Sequence, residues 1–179
     1  MPKRTLGLAF LIGGLLAGMA QETGLGDYKT RLVRYATVDR VDGLIRDLYV
    51  APEALEAVRK GQPLPPGTVV LVDLHQAKPN GRGGFVREGG FFVRASDEPY
   101  VHTMTRLEGQ DSLTSWRFGA FDPRTGELEP GAEVPGDCLE CHRTALTTEM
   151  LFSYPQLQAF ARSGEVQRSF CKQPGRQLC

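Results

Sequence analysis

Five consecutive residues, Cys138-Leu139-Glu140-Cys141-His142, bring two thiols and an imidazole within one helical turn. C-x-x-C-H is the attachment pattern of a c-type haem. The thiols add to the two vinyl groups as thioethers, and the adjacent imidazole reaches the iron as proximal ligand. Two other chemistries use a C-x-x-C pair. A structural zinc site wants a second ligand pair at matching spacing, and the remaining cysteines, Cys171 and Cys179, lie in the C-terminal tail. A redox dithiol wants a strand–helix entry within a βαβ pattern, which the flanking residues do not supply. One covalently bound haem c is therefore the expected cofactor, with Cys138 and Cys141 as attachment points and His142 as iron ligand.

The N-terminus agrees with that chemistry. Lys3-Arg4 precede an apolar run, Leu6 to Ala17, and small residues lead to a polar turn at Gln21-Glu22-Thr23. This is the layout of a secretory signal peptide with cleavage after Ala20. The run falls short of the roughly 20 residues needed to span a bilayer, so no stable membrane insertion is expected. Residues 1–20 are read as signal peptide and 21–179 as a single haem domain, in the periplasm, where c-type haem is attached. Removing Lys3 and Arg4 from 21 basic residues, set against 21 acidic ones, leaves a net charge of −2. Without a basic stripe, nucleic acid is excluded as a partner. In an oxidising compartment Cys171 and Cys179 are expected to pair and clip a tail at 165–179. A free thiol pair or an intermolecular bridge remain as alternatives.

The elements that must position the motif lie upstream. Tyr28, Leu32 and Tyr35 have helical spacing, predicting a helix over 27–38 with Asp27 as N-cap. Residues 43–50 alternate with period two, placing Leu44, Arg46, Leu48 and Val50 on one face and Ile45, Asp47 and Tyr49 on the other. Arg46 thus sits on the more apolar face, where a guanidinium needs a carboxylate partner or a cavity holding a ligand. Pro52 opens a short helix that Gly61 ends. Thr68 to His75, rich in β-branched residues, reads as a central strand with Val70, Val72 and Leu74 on one face and Val69, Leu71, Asp73 and His75 on the other. Residues 79–84 form a flexible connection, and Gly90 to Ala95 and Leu113 to Phe121 read as strands. Residues 122–137 read as a surface loop, and a helix starts at Pro155. The fold class is α+β: mainly antiparallel sheet with flanking short helices, not an all-helical cytochrome c.

Three stretches resemble the cytochrome P-460 family, which includes the cytochromes c′-β. They are Ile45 to Pro52 continuing to Pro66-Gly67-Thr68-Val69-Val70; Trp116-Arg117-Phe118-Gly119-Ala120-Phe121; and Cys138 to His142 with Thr148-Glu149-Met150-Leu151-Phe152 downstream. The resemblance implies a β-rich homodimer with a proximal histidine and an open distal face. Members carrying the eponymous chromophore cross-link a lysine to the haem and oxidise hydroxylamine. That position is Val72 here, which cannot form the link, and the next lysine downstream is Lys78. The family's distal arginine matches Arg46. Val70, Val72 and Leu74 would then form an apolar distal wall of the kind the cytochromes c′-β use to favour nitric oxide. Phe91 or Phe92 would serve as the capping phenylalanine of those relatives.

Three functions compete at this stage. The first is an exported mono-haem protein whose open distal site binds nitric oxide or a related small ligand, exchanging electrons with a periplasmic redox partner. The second is a haem oxidoreductase acting on hydroxylamine, nitric oxide or peroxide, with Arg46 as a distal catalytic residue; the missing lysine disfavours hydroxylamine. The third is electron transfer by six-coordinate iron, with His75, His102, Met104 or Met150 as second axial ligand.

Overall fold

A computed structural model describes residues 27–107, 116–122, 125 and 136–172, with the side chains of residues 136 and 137 left out. The expected signal peptide, Leu113 to Ser115, most of the 122–137 loop and Cys179 lie outside the described residues. Strand β1 (Val33–Arg40) turns back through Gly43 into β2 (Leu44–Val50). Gly43 has φ +85°, and a Cβ there would stand 2.2 Å from the Phe85 ring, so the turn needs glycine on both counts. Helix α1 (Tyr28–Arg31) precedes β1, and α2 (Pro52–Arg59) follows β2. Then come β3 (Val69–Gln76), the short β4 (Arg87–Glu88) and β5 (Phe91–Phe92), β6 (Tyr100–Arg106) and β7 (Trp116–Phe121). Helix α3 (Gly136–His142) runs into a 3-10 turn (Arg143–Thr148), followed by α4 (Tyr154–Ser163) and β8 (Gln167–Cys171).

The main sheet has the order β7-β6-β3-β2-β1-β8, antiparallel throughout except for the parallel β1–β8 pair. Mixed α+β architecture with a mostly antiparallel sheet is the class the sequence predicts. Three local expectations are corrected. The helix over 27–38 is confined to α1. Val33, Tyr35, Thr37 and Val38 favour extended backbone, and β2 and β8 on either side absorb the hydrogen bonds of β1. The strand at Gly90 to Ala95 shrinks to two residues paired with β4 in a separate hairpin. Inside the expected tail, residues 167–171 form an edge strand of the main sheet instead.

Period-two alternation gives this sheet two different faces. One packs on α2 and α4, burying Ala54, Leu55 and Val58 against Leu157, Phe160 and Ala161 together with Val50, Val70 and Met104 from the strands. Each large aliphatic or aromatic side chain buried there contributes about 1.5–3 kcal/mol. A bulge between Arg34 and Ala36 turns Tyr35 onto this side, where its hydroxyl shares a 2.7 Å hydrogen bond with Ser153 Oγ.

The reverse face buries charge. Asp39, Asp47 and Asp73 are each 2% exposed or less. Thr37 Oγ1 donates to Asp47 Oδ1 at 2.6 Å, Arg94 pairs with Asp47 Oδ2, and the Phe92 amide donates to Asp39 Oδ2 at 2.6 Å. Tyr28 donates to Asp73 Oδ1 at 2.7 Å; burial and then that carboxylate push its own ionisation well above the usual tyrosine range, so it stays a donor.

Candidate functional site

Between the α2/α4 side of the sheet and α3 lies a cavity of about 570 Å³. Helical spacing in α3 puts Cys138 and Cys141 three residues apart on one face, with His142 next in the chain, and all three line the cavity. Both cysteines are half-buried thiols. The opposite wall comes from alternate positions of the strands: Arg46 and Leu48 from β2, Val70, Val72 and Leu74 from β3, and His102 and Met104 from β6. The residues read as functional from spacing and from resemblance therefore converge on one space, although β3 ends at Gln76 and α3 begins only at Gly136. His102 stands directly across from Val72 in the β3–β6 ladder, exposed at the cavity edge.

The imidazole is held from three sides. Phe118 and Phe152 flank it, with ring centroids 5.0 and 4.9 Å away. Its Nδ1 lies 2.5 Å from the Met150 carbonyl oxygen. A carbonyl only accepts, so Nδ1 carries the proton and Nε2 keeps its lone pair for a metal. The carbonyl is aimed by an unusual piece of backbone. Glu149 and Met150 are both left-handed, at φ 52° and 64°, a conformation that costs non-glycine residues about 1–3 kcal/mol each. It is pinned by the Leu64 amide, which donates to the Glu149 carboxylate at 3.0 Å, by the Arg106–Glu149 ion pair, and by the Met150 amide donating to Ala145 O at 2.7 Å. Burial first, and Arg46 to a smaller extent, hold the His142 pKa below its ordinary value against the opposing effect of the Met150 carbonyl. A neutral ring is the metal-binding form.

Arg46 reaches the cavity from the position predicted for it. Burial and neighbouring Arg40 bring its pKa down to about 10, opposed by Asp42 and Cys141, so it remains a cation. Arg40, which also lines the cavity, does not stand out in the sequence because the expected helix over 27–38 hides the strand that carries it; strand alternation from Val38 finds it. Its guanidinium grips Asp42 through Nε at 3.1 Å and a second bond at 2.5 Å.

Other expectations fall elsewhere. Phe91 and Phe92 are no cap: both are absent from the cavity, and Phe92 packs with Ile45 and Ala77 on the reverse face, because β5 belongs to the outer hairpin. His75 is 1% exposed on that reverse face, pointing away from Val72. Met150 is fully buried and serves His142 through its carbonyl. Cys171 is buried at the end of β8 and disulfide-bonded; Cys179, its expected partner, is outside the described residues.

Residues 26–153 match the Cytochrome P460 family. No curated protein matches the chain. The haem implied by a cytochrome family fits the residues present: two thiols and an imidazole with its Nε2 left for metal face a largely apolar cavity of cofactor size. With a matched region that spans most of its length, the chain belongs to the cytochrome P460 family of haem-binding cytochromes.

Proposed function

We propose that the protein is an exported c-type mono-haem protein whose distal site binds nitric oxide or a related small uncharged ligand. One observation carries this: Cys138, Cys141 and His142 share a cavity whose facing wall is Val70, Val72 and Leu74, with Arg46 and Arg40 also lining it. When bound, the haem would supply an iron able to take up a small ligand. The chain's residues do the rest. Cys138 and Cys141 would hold the group covalently, and His142 would offer it Nε2 while Met150 O fixes the tautomer. Val72, at the position where chromophore-bearing relatives have a lysine, keeps the wall apolar. Apolar walls exclude water and favour uncharged ligands, and the Arg46 guanidinium donates a hydrogen bond to the bound ligand. Residues 1–20 direct export, and the mature protein acts in the periplasm as a homodimer with a redox partner there. Mixing the ferrous protein with nitric oxide should shift the Soret band with a 1:1 endpoint; an unchanged spectrum would overturn the reading.

A second reading is electron transfer by six-coordinate iron. His102 supports it, since this imidazole lines the cavity opposite Val72 while His75 does not. Low-spin ferric haem at neutral pH that becomes high-spin in His102→Ala would favour this reading; high-spin wild-type protein favours the open site.

A further inference from the structure

The reverse face of the sheet holds a second cavity, of about 430 Å³, that the haem chemistry does not use. Arg34 of β1, Arg94 from the loop after β5 and Arg168 of β8 line it, with Ile45, Phe92 and Val166 as apolar neighbours. Its position brings three chain segments together: Arg34 and Arg168 come from adjacent parallel strands, and Arg94 arches over β2. Two buried carboxylates aim the guanidinium groups. Asp47 Oδ2 attracts both Arg94, which hydrogen-bonds it, and Arg34, whose NH1 stays 3.7 Å away. Asp39 Oδ2 attracts Arg168 NH2 at 3.7 Å, and Arg168 stacks 4.2 Å over the Phe91 ring.

These arginines are held but poorly consumed. The Arg34 side chain makes no hydrogen bond among the described residues, and that of Arg168 makes a single long one, to the Phe92 carbonyl at 3.5 Å. A guanidinium carries five donors, so most of those facing this cleft are left for water or a ligand. Charge decides the sign of that ligand. Asp47, Asp73 and His75 place ligand-type atoms within 4.8 Å of one another, which on geometry alone invites a metal ion. Lys29, 3.5 Å from Asp73 Oδ2, joins Arg34, Arg94 and Arg168, so four cations already face the three carboxylates Asp39, Asp47 and Asp73. A further cation would meet net repulsion there. An anion would meet net attraction.

We propose that the cleft formed by Arg34, Arg94 and Arg168 binds a small oxyanion through the outward-facing donors of the three guanidinium groups. Planar or tetrahedral oxyanions match guanidinium forks in bidentate fashion, whereas a halide cannot use both prongs. The occupant is therefore a carboxylate or an inorganic oxyanion of the nitrite or phosphate kind, taken on the side of the sheet opposite the haem cavity.

The test is calorimetric titration of the full-length, haem-loaded protein with sodium phosphate, nitrite and acetate separately, at constant ionic strength set by chloride. At least one anion should bind saturably at 1:1 and raise the melting temperature, which also separates inorganic oxyanion from carboxylate. Arg34→Gln/Arg168→Gln should weaken that binding about tenfold or more, through loss of charge-assisted bonds, with an unchanged Soret spectrum. Should the double variant fail to fold, Arg34→Gln alone removes a half-exposed side chain without a hydrogen bond and must still weaken binding. Absence of saturable binding for all three anions, or unchanged affinity in a folded variant, overturns the proposal.

Discussion

Neighbouring residues of one strand live in opposite worlds here. On β2, Arg46 opens into an apolar cavity beside Cys141 and His142, while Asp47 is sealed on the far side among Thr37, Arg34 and Arg94. On β3, Val72 faces the cavity, while Asp73 is fully buried beside Tyr28 and Lys29. The contrast separates two uses of charge. Carboxylates on the reverse face are each met by cations, and these pairs tie the loops and α1 to the sheet. The cavity face stays apolar, with its cations beside the cofactor space. A single sheet can thus hold a charged, ion-paired layer and a largely apolar pocket back to back, because alternation keeps their side chains apart.

The largest effect should come from the attachment motif. Cys138→Ala/Cys141→Ala should convert haem that resists acidified acetone into haem that is fully extracted; retention in the double variant would contradict covalent attachment. Next comes the comparison within β2. Asp47→Ala leaves the buried Thr37 hydroxyl and the part-exposed Arg94 and Arg34 without their carboxylate and should cost about 2–3 kcal/mol in chemical denaturation. Arg46→Ala, one residue away, should stay within about 1 kcal/mol of the parent protein while speeding release of bound nitric oxide. Equal stability losses for the two would erase the distinction between the faces.

A pH experiment sharpens the same comparison. Burial, then Arg94, holds the His75 pKa below its ordinary 6.5, against Asp47, Asp73 and the Ser96 backbone. As pH falls through 6.5 the unfolded chain takes up a proton that the folded ring resists, so stability should drop on acidification. The midpoint difference between pH 7.5 and pH 5.5 should shrink in His75→Gln; an undiminished difference would assign the acid sensitivity elsewhere. Smallest is Glu149→Gln, which weakens the clamp on the left-handed Glu149-Met150 pair. It should cost about 1–2 kcal/mol and shift the ferric haem spectrum through the Met150–His142 bond, read by denaturation and absorption.

Much of this was legible in the residues. The C-x-x-C-H spacing is local chemistry, so it names its cofactor without a fold. Alternation in β2 and β3 assigned Arg46, Val70, Val72 and Leu74 to their faces, because strand periodicity survives whatever packs on it. Helical spacing at Tyr28, Leu32 and Tyr35 misled, since strand pairing and a bulge override a short local pattern.

By itself, then, the sequence determined the C-x-x-C-H motif and the haem it points to, the α+β class and the inward face of the two central strands. Only the tertiary structure decided that His102 stands across from Val72, that Phe92 belongs to the opposite side, that Arg40 joins Arg46, and that Arg34, Arg94 and Arg168 meet in one cleft. Those relations join residues far apart in the chain. They depend on strand order and register, which local patterns of side chains do not encode.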